Sequence, residues 1–459
     1  MVLHKCGGKE MSETIANLYD LTENLDKSTQ LINELSMLFY NGFSKLIKKD
    51  RDILDQLAKG FKDSPLREIV PQGIEKLSKS DYNKDNFTAL VLAITSVQGA
   101  IHDALYVHAE EVFGTKTSFY THEDTIMFED FVDETKIFLE NIQTWLIDLA
   151  IKGFSDLNKE SIISFETVLE TLESQNNLQR LGVILRCLTN EFLLVLSDTK
   201  NQEHAIQVRW MDLWCKAYLL TLKKQIPPKG IKISGKLKLV ALQTYTHRNF
   251  LTVVLSGILE YNKENIYIEI EKSKFIIDLI PIEEFWYQLN NENSELFKGL
   301  NTSTVTSVKE GYLFENGSLI LKNFAATTEK FSLIQELEKT VEKQNLILSK
   351  IQAIDRHPIQ FKLPVLVEAK DINGRICKLG NKEIPIRFEL QPTRKSSTSL
   401  IQNKMLLELH FDNGWFLKPL TSMGANNIFL GKIAEQPNTA TPTYDTLKER
   451  SSKILREKK

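Results

Sequence analysis

The chain has 459 residues, 42% of them hydrophobic and 25% charged. It is too long for one compact core and too apolar for a chain whose main state is disorder, so two or three folded domains are expected. The net charge of −3 conceals an asymmetry: residues 1–226 carry 24 Lys+Arg against 34 Asp+Glu, a net of −10, and residues 227–459 carry 33 against 26, a net of +7. Opposite charge lets the halves attract one another, or lets the second half meet an acidic partner.

Residues 1–11 read as a flexible N-terminus. Lys5 and Lys9 are present but no apolar stretch follows them, and Met11 offers a start alternative to Met1. The cysteines Cys6, Cys187, Cys215 and Cys377 are scattered, with no CxxC or Cys/His spacing for zinc or a redox dithiol, and suit a reducing compartment. The longest apolar stretches, 87–97 and 251–259, fall short of the roughly 18 residues of a membrane span. A cytoplasmic protein with no membrane span is expected.

Residues 12–226 read as an all-α bundle or array. Only Pro65 and Pro71 precede position 227, and proline is excluded from helix interiors. Apolar residues step by three and four through Leu18–Phe39, Phe128–Leu149 and Leu178–Val195, the seam of packed or coiled helices. The spacing predicts about eight helices, over 12–40, 43–60, 65–79, 86–113, 124–152, 160–174, 176–198 and 202–224, with Ser12, Asp85 and Ser161 as caps. The helix over 86–113 carries a small-residue stripe (Ala89, Ala93, Ser96, Ala100) that lets helix axes approach closely, so it belongs at the centre. No motif repeats every 33–47 residues, and a regular solenoid is not indicated.

Pro227, Pro228 and Gly230 mark a boundary, after which the hydrophobic period becomes two. The pattern predicts β-rich modules over 231–325 and 357–433, barrel- or sandwich-like. Asn316-Gly317, Asn373-Gly374 and Asn413-Gly414 are read as hairpin turns, and Pro364, Pro385 and Pro419 as edge or strand-end residues. A long amphipathic helix is inserted over 328–356, where Ile334, Leu337, Val341, Gln344, Leu348 and Ile351 step by three and four. Residues 434–459 read as a disordered basic tail. The fold class is thus α+β multidomain: an N-terminal helical domain, then mostly β modules with one inserted helix.

No phosphate-binding loop, dinucleotide fingerprint, HExxH or GxSxG occurs. Thr246–Phe250 (THRNF) echoes a kinase catalytic loop but lacks its aspartate. The densest polar segment is His102–Asp130, with His102, Asp103, His108, Glu110, Glu111, His122, Glu123, Asp124, Glu129 and Asp130. His102 and His108 are six residues apart and point about 120° from each other on a helix, the wrong spacing for shared ligation. His108 continues an apolar seam and is read as a core-edge histidine. Cys215, between Trp210, Trp214 and Tyr218, has no local base, and all four are read as core packing. In the β half, Arg375, Lys378, Arg387, Arg394, Lys395, His410, Trp415, Phe416 and Lys418 combine basic and aromatic character, with Gln391–Ser399 as a basic loop, as single-strand-binding barrels do. No nucleic-acid signature accompanies them. No catalytic, metal or cofactor-binding residue is assigned. The leading expectation is a non-enzymatic interaction or scaffold protein, an accessory subunit of an intracellular multiprotein assembly. The alternatives are nucleic-acid binding through the β half and an enzyme with a dispersed site near His102–Asp130.

Overall fold

The computed structural model describes residues 5–6, 23–113, 118–119, 128–129, 131, 133–175, 177–197, 204–225, 230–247, 250–275, 281–343, 346–348, 351, 353–379, 382–388, 401–412, 414–424 and 427–431. Helices dominate the first half and sheets the second, an α+β multidomain fold. The short β1 (Lys5–Cys6) precedes α1 (Glu23–Asn41), α2 (Lys48–Lys59), α3 (Val70–Ser78) and the long α4 (Lys84–Phe113). Then β2 (Ser118–Phe119) and β3 (Phe128–Glu129) lead to α5 (Asp133–Lys152), α6 (Lys159–Ile163), α7 (Glu166–Ser174), α8 (Gln179–Ser197) and α9 (His204–Leu222). β4 (Lys224–Gln225) pairs with β3 and closes the half.

The helix starts differ in detail from the sequence reading. Asn83 and Asn158 are the caps: Asn83 Oδ1 accepts from Asn86 N at 3.0 Å and Asn158 Oδ1 from Ser161 N at 2.8 Å. Asp85 and Ser161 sit in the first turn instead, because a cap must stand ahead of the free N–H groups it satisfies. The helix expected from 124 starts at Asp133, after β3. Residues 12–22, with Ser12, lie outside the described residues, as does the 434–459 tail.

An aromatic core centred on Trp214 holds the helices together. Its indole packs on Phe39 at 4.8 Å and Phe87 at 6.2 Å between ring centroids, stacks on Tyr218 at 5.3 Å, and donates to Leu146 O at 2.8 Å. Helix α4 carries Phe87, Leu90, Val91, Ala93 and Ile94, all fully buried, into this core. Its stretch Lys84–Ala109 is long and apolar enough by length and composition to cross a membrane, and half of its most apolar window is buried in the fold. The central place expected for this helix explains that hydropathy, since a helix packed on several sides is apolar around its circumference.

The helical half contains a repeat at a spacing longer than any solenoid period. Gly42-Phe43-Ser44-Lys45-Leu46 after α1 recurs as Gly153-Phe154-Ser155-Asp156-Leu157 after α5. Both glycines have left-handed backbones, φ 94° and 92°, and each starts a single 3₁₀ turn. The burial repeats in register: Leu35 with Leu146, Leu38 with Leu149, Phe39 with Ala150, Phe43 with Phe154. The two corners meet back to back. A Cβ on Gly42 would lie 2.4 Å from Lys152 O, and one on Gly153 2.6 Å from Asn41 O. Contact of residue i with j and of j's counterpart with i's is the signature of a two-fold interface.

The second half begins with the long hairpin strands β5 (Ile231–His247), β6 (Phe250–Tyr261) and β7 (Glu264–Phe275). Helices α10 (Ile282–Glu292) and α11 (Ser294–Thr302) follow, then β8 (Thr304–Leu313), β9 (Leu319–Lys330), α12 (Leu333–Lys343) and β10 (Leu346–Leu348). These strands form a seven-stranded sheet in the order β2-β10-β7-β6-β5-β8-β9, so the helical half lends it an outer strand. The remaining strands are β11 (Leu363–Glu368), β12 (Ile372–Asn373), β13 (Ile376–Leu379), β14 (Lys382–Pro385), β15 (Lys404–Phe411), β16 (Trp415–Met423) and β17 (Ile428–Phe429). They make a five-stranded sheet, β1-β11-β15-β16-β17, and a three-stranded one, β12-β13-β14. Neither large sheet closes into a barrel. The glycines of the three Asn-Gly pairs, Gly317, Gly374 and Gly414, lie between antiparallel strands, β8–β9, β12–β13 and β15–β16.

Three local expectations change. The helix expected over 328–356 is helical only over Leu333–Lys343, with β9 running to Lys330 and β10 following. Leu346-Ile347-Leu348 are consecutive apolar residues, which suit a strand covered on both faces better than one stripe of a helix. Helices α10 and α11 were not anticipated; their apolar face is Phe285, Trp286, Leu289, Leu296, Phe297 and Leu300. Pro419 is not at an edge, since β16 lies between β15 and β17. It sits at the register shift opposite Leu406/Leu407, where a bulge relieves the ladder of one hydrogen bond.

Candidate functional site

The His102–Asp130 segment separates into unrelated settings. His102 is buried, and its Nδ1 lies 3.0 Å from Asp103 Oδ1. Asp103 Oδ2 accepts from Arg356 Nη1 at 3.0 Å, a tie to the β half, and the contacts with His102 and Arg356 hold its carboxyl below the usual range against the opposing effect of burial. His108 is buried at the helix edge and stacks on Trp415, centroids 6.4 Å apart. Among the described residues no three His, Cys, Asp or Glu side chains gather as a metal site. The side chains of Glu110, Glu111, His122, Glu123, Asp124, Glu129 and Asp130 lie outside the described residues. Cys215 is fully buried, and burial pushes its thiol up, followed by the nearby Asp212 carboxylate. Trp210 and Trp214 are core anchors.

The basic and aromatic residues of the β half divide: Arg375 and Lys378 are exposed and Arg387 is half-buried. Trp415, Phe416, His410 and Lys418 are all buried, so they present no open stacking face for a base. Arg387 lies over the Phe416 ring at 3.9 Å, and His410 stacks on the same ring at 5.2 Å between centroids. Arg394, Lys395 and the loop Gln391–Ser399 lie outside the described residues.

Where the two large sheets pack, a polar cluster is buried. Glu408 and His410 alternate along β15 and Lys418 faces Glu408 from β16; Glu408 and Lys418 meet Gln243 of β5, Lys418 also meets Tyr245, and His410 joins through Glu408. Glu408 is completely buried. Its Oε2 accepts from Gln243 Nε2 at 3.3 Å and lies 3.1 Å from His410 Nε2. Lys418 Nζ donates to Gln243 Oε1 and, at 2.7 Å, to Tyr245 OH. Burial alone would raise the Glu408 carboxyl; the hydrogen bond and charge of His410, with Lys362 and Lys418, bring it down to about 2. Burial lowers Lys418 from the ordinary lysine value, and Glu408 only partly restores it.

The segment between β10 and β11 straps the two halves together beside this cluster. Arg180 Nη2 of α8 holds Asp355 at 2.6 and 2.7 Å, and Tyr106 OH of α4 donates to Lys362 O at 3.1 Å. Lys362 Nζ donates to Glu269 Oε1 at 3.2 Å. Burial disfavours its charge, and Glu269 and Glu408 more than offset that, holding the ammonium above the usual lysine range. On one side of the strap lies a cavity of about 310 Å³, lined by Tyr106, Tyr267, Glu269, Glu271, Lys362 and Glu408 among others. One buried atom on its wall, Glu408 Oε1, has no hydrogen-bond partner among the described residues. On the other side a cavity of about 190 Å³ is bordered by His357, Asp212 and Lys216, and Gln360 lines both. Burial holds the His357 imidazole below its usual range.

Beyond the cluster, β5, β6 and β7 extend past the five-stranded sheet's cover. Phe250 and Phe275 are cross-strand neighbours packed edge to face at 5.5 Å, and they are 46% and 56% exposed. Tyr245, 43% exposed, stands on the same face, with the Thr252–Ser273 hydroxyl pair between.

The chain matches no protein-family model, no curated protein and no solved structure.

The sequence reading placed Lys418 and His410 among surface candidates and passed over Glu408, Glu269, Lys362 and Gln243 altogether. One local signal was present: in Leu406-Leu407-Glu408-Leu409-His410-Phe411 two titratable residues alternate within an otherwise unbroken apolar run. Polar residues inside a strand buried on both faces imply a polar partner across the sheets.

Proposed function

We propose that this chain is a non-enzymatic interaction protein, an accessory or scaffold subunit of an intracellular assembly, and that it engages a protein partner through the overhanging face of β5, β6 and β7. The observation that carries this reading is the paired, half-exposed Phe250 and Phe275 with Tyr245 beside them. Exposed aromatic clusters on a rigid sheet are the side chains that anchor protein interfaces, offering large area at little entropic cost. The strap at residues 351–362 supports the scaffold part, because it ties helices and sheets through Arg180–Asp355 and Arg356–Asp103. A partner on the sheet and another on the helices would keep a fixed relation.

The test is crosslinked recovery of partners from the native cell, comparing wild type with the double substitution Phe250→Asp, Phe275→Asp. The reading expects a reproducible protein partner that the variant loses while its thermal unfolding midpoint stays unchanged. Recovery of no protein partner, or of the same partner by both proteins, overturns it.

A further inference from the structure

The single 3₁₀ turn Pro358–Gln360 in the strap lies at the surface, with Ile359 and Gln360 exposed, yet one buried side chain anchors it from within. His357 is that anchor. Its Nδ1 accepts from Ile359 N at 3.2 Å and so caps the turn. Gln360 N donates to His357 O at 2.8 Å and Phe361 N to Pro358 O at 3.0 Å. The chain on either side is fixed without the histidine. Upstream, Arg356 holds Asp103 and Asp355 holds Arg180. Downstream, Phe361 is completely buried against Tyr106 and Trp415, 4.6 and 5.5 Å away between ring centroids.

A neutral imidazole accepts at one nitrogen and donates at the other. Since Nδ1 accepts, the ring proton is on Nε2, which is buried with no partner among the described residues. A second proton therefore costs twice. An Nδ1–H would face the Ile359 N–H, so the cap is lost, and a positive charge would sit in the interior without an acceptor. The charged groups facing the ring are already engaged. On α9, Asp212 and Lys216 pair with each other at 2.7 Å, and Arg209 pairs with Glu191. On α4, His102 is bonded to Asp103, and between β15 and β16 Asp412 lies 3.7 Å from Arg387. We propose that His357 is a pH-sensitive latch: the neutral ring holds the Pro358–Gln360 turn closed, and protonation lets that turn open between Arg356 and Phe361. Gln360 lines both cavities beside the strap and leaves with the turn. Burial, only partly opposed by Asp212, holds the closed-state imidazole below its usual range. A proton bound more weakly in the closed state makes opening more favourable as pH falls. The Asp103 carboxyl is itself held below its usual range, so the Arg356 tie outlasts the latch.

The experiment is hydrogen exchange of the full chain between about pH 7.5 and about pH 5, read by mass spectrometry and corrected for the chemical exchange rate. Uptake of one proton on opening raises the opening equilibrium by at most about tenfold per pH unit. Wild type is expected to lose protection toward that limit in peptides spanning 353–362, while peptides around Trp214 keep theirs. His357→Asn retains an acceptor for Ile359 N and has no titrating ring, so its strap protection should not depend on pH. His102→Gln should keep the wild-type response, which separates the two histidines. If His357→Asn does not fold, the ring resonances of His357 in the wild-type chain decide, because their titration midpoint must coincide with the midpoint of lost protection. Strap protection that is flat with pH in wild type overturns the inference. So does an equal response in His357→Asn, a response abolished by His102→Gln, ring and strap midpoints that differ, or a loss spread evenly over the helical half.

Discussion

Trp214 and Glu408 are both completely buried, and they sit in opposite kinds of interior. Around Trp214 the contacts are rings and aliphatic carbons, and its one polar atom is answered by Leu146 O. Around Glu408 the hydrogen-bonding and charged partners are Gln243, His410, Lys362 and Lys418, and one carboxylate oxygen is left over. Volume decides the first site, because a void there has no atoms to replace what is lost. Charge decides the second, where each group is tolerable only through the others. The difference teaches that equal burial says little about role: the apolar region accounts for why the helices hold together, and the polar one holds a carboxylate oxygen that the described residues do not satisfy.

Four experiments break or sharpen this contrast. The largest effect belongs to Trp214→Ala, which should cost about 3–5 kcal/mol in urea unfolding, the usual range for truncating a buried large aromatic. A loss under about 1 kcal/mol would mean that the aromatic core is not the support of the helical half. Next, Glu408→Gln keeps shape and removes charge, and should cost about 2 kcal/mol, as for a hydrogen bond to a charged group. The same variant sharpens the contrast in acid. The folded Glu408 carboxyl titrates at about 2, against 4.5 ordinarily. Its contribution is complete above pH 4.5 and disappears as pH falls from 4.5 to 2. Wild type should therefore lose more stability over that interval than Glu408→Gln, whereas Trp214→Ala should follow the wild-type slope. Equal slopes for wild type and Glu408→Gln would contradict the assignment.

A smaller effect is expected at His357, whose imidazole is held below 6.5 chiefly by burial, with Lys216 and His102 acting the same way and Asp212 and Asp412 opposing. A folded value below the unfolded one gives stability that is full above pH 6.5 and declines as pH falls through the folded value. His357 Nδ1 accepts from Ile359 N at 3.2 Å, and Asn can replace that acceptor. His357→Asn should flatten the decline of the thermal midpoint below pH 6.5; an unaltered decline would assign it elsewhere. The smallest stability effects belong to Phe250→Ala and Phe275→Ala, each expected within about 0.5 kcal/mol of wild type because the rings are half in water. A larger cost, read by urea unfolding, would show that the pair supports the fold instead of facing outward.

Much of the architecture was legible from local pattern. The switch from three-and-four spacing to alternation has its counterpart in α9 ending at Leu222 and β5 starting at Ile231, and Gly317, Gly374 and Gly414 stand in hairpin connections with the positive φ that such turns call for. Cys215, Trp210 and Trp214 were readable as core from their shared helical face. What was not legible has a common cause, separation along the chain. Gln243 and Glu408 are 165 residues apart and Tyr106 and Lys362 are 256 apart, and no local period reports on such pairs. The inserted helix was overextended because Leu348 and Ile351 continue a helical step by coincidence while belonging to a strand and the strap. The repeated Gly-Phe-Ser corner was in plain view but falls at a spacing longer than any helical-array period.

Those back-to-back glycines carry a last consequence. Each lacks a side chain in the space that the other's preceding backbone occupies, so the two positions share a single vacancy. A side chain at Gly42 would press on the Lys152 carbonyl and one at Gly153 on the Asn41 carbonyl, so each position excludes larger residues twice, by its own backbone angle and by the opposite corner.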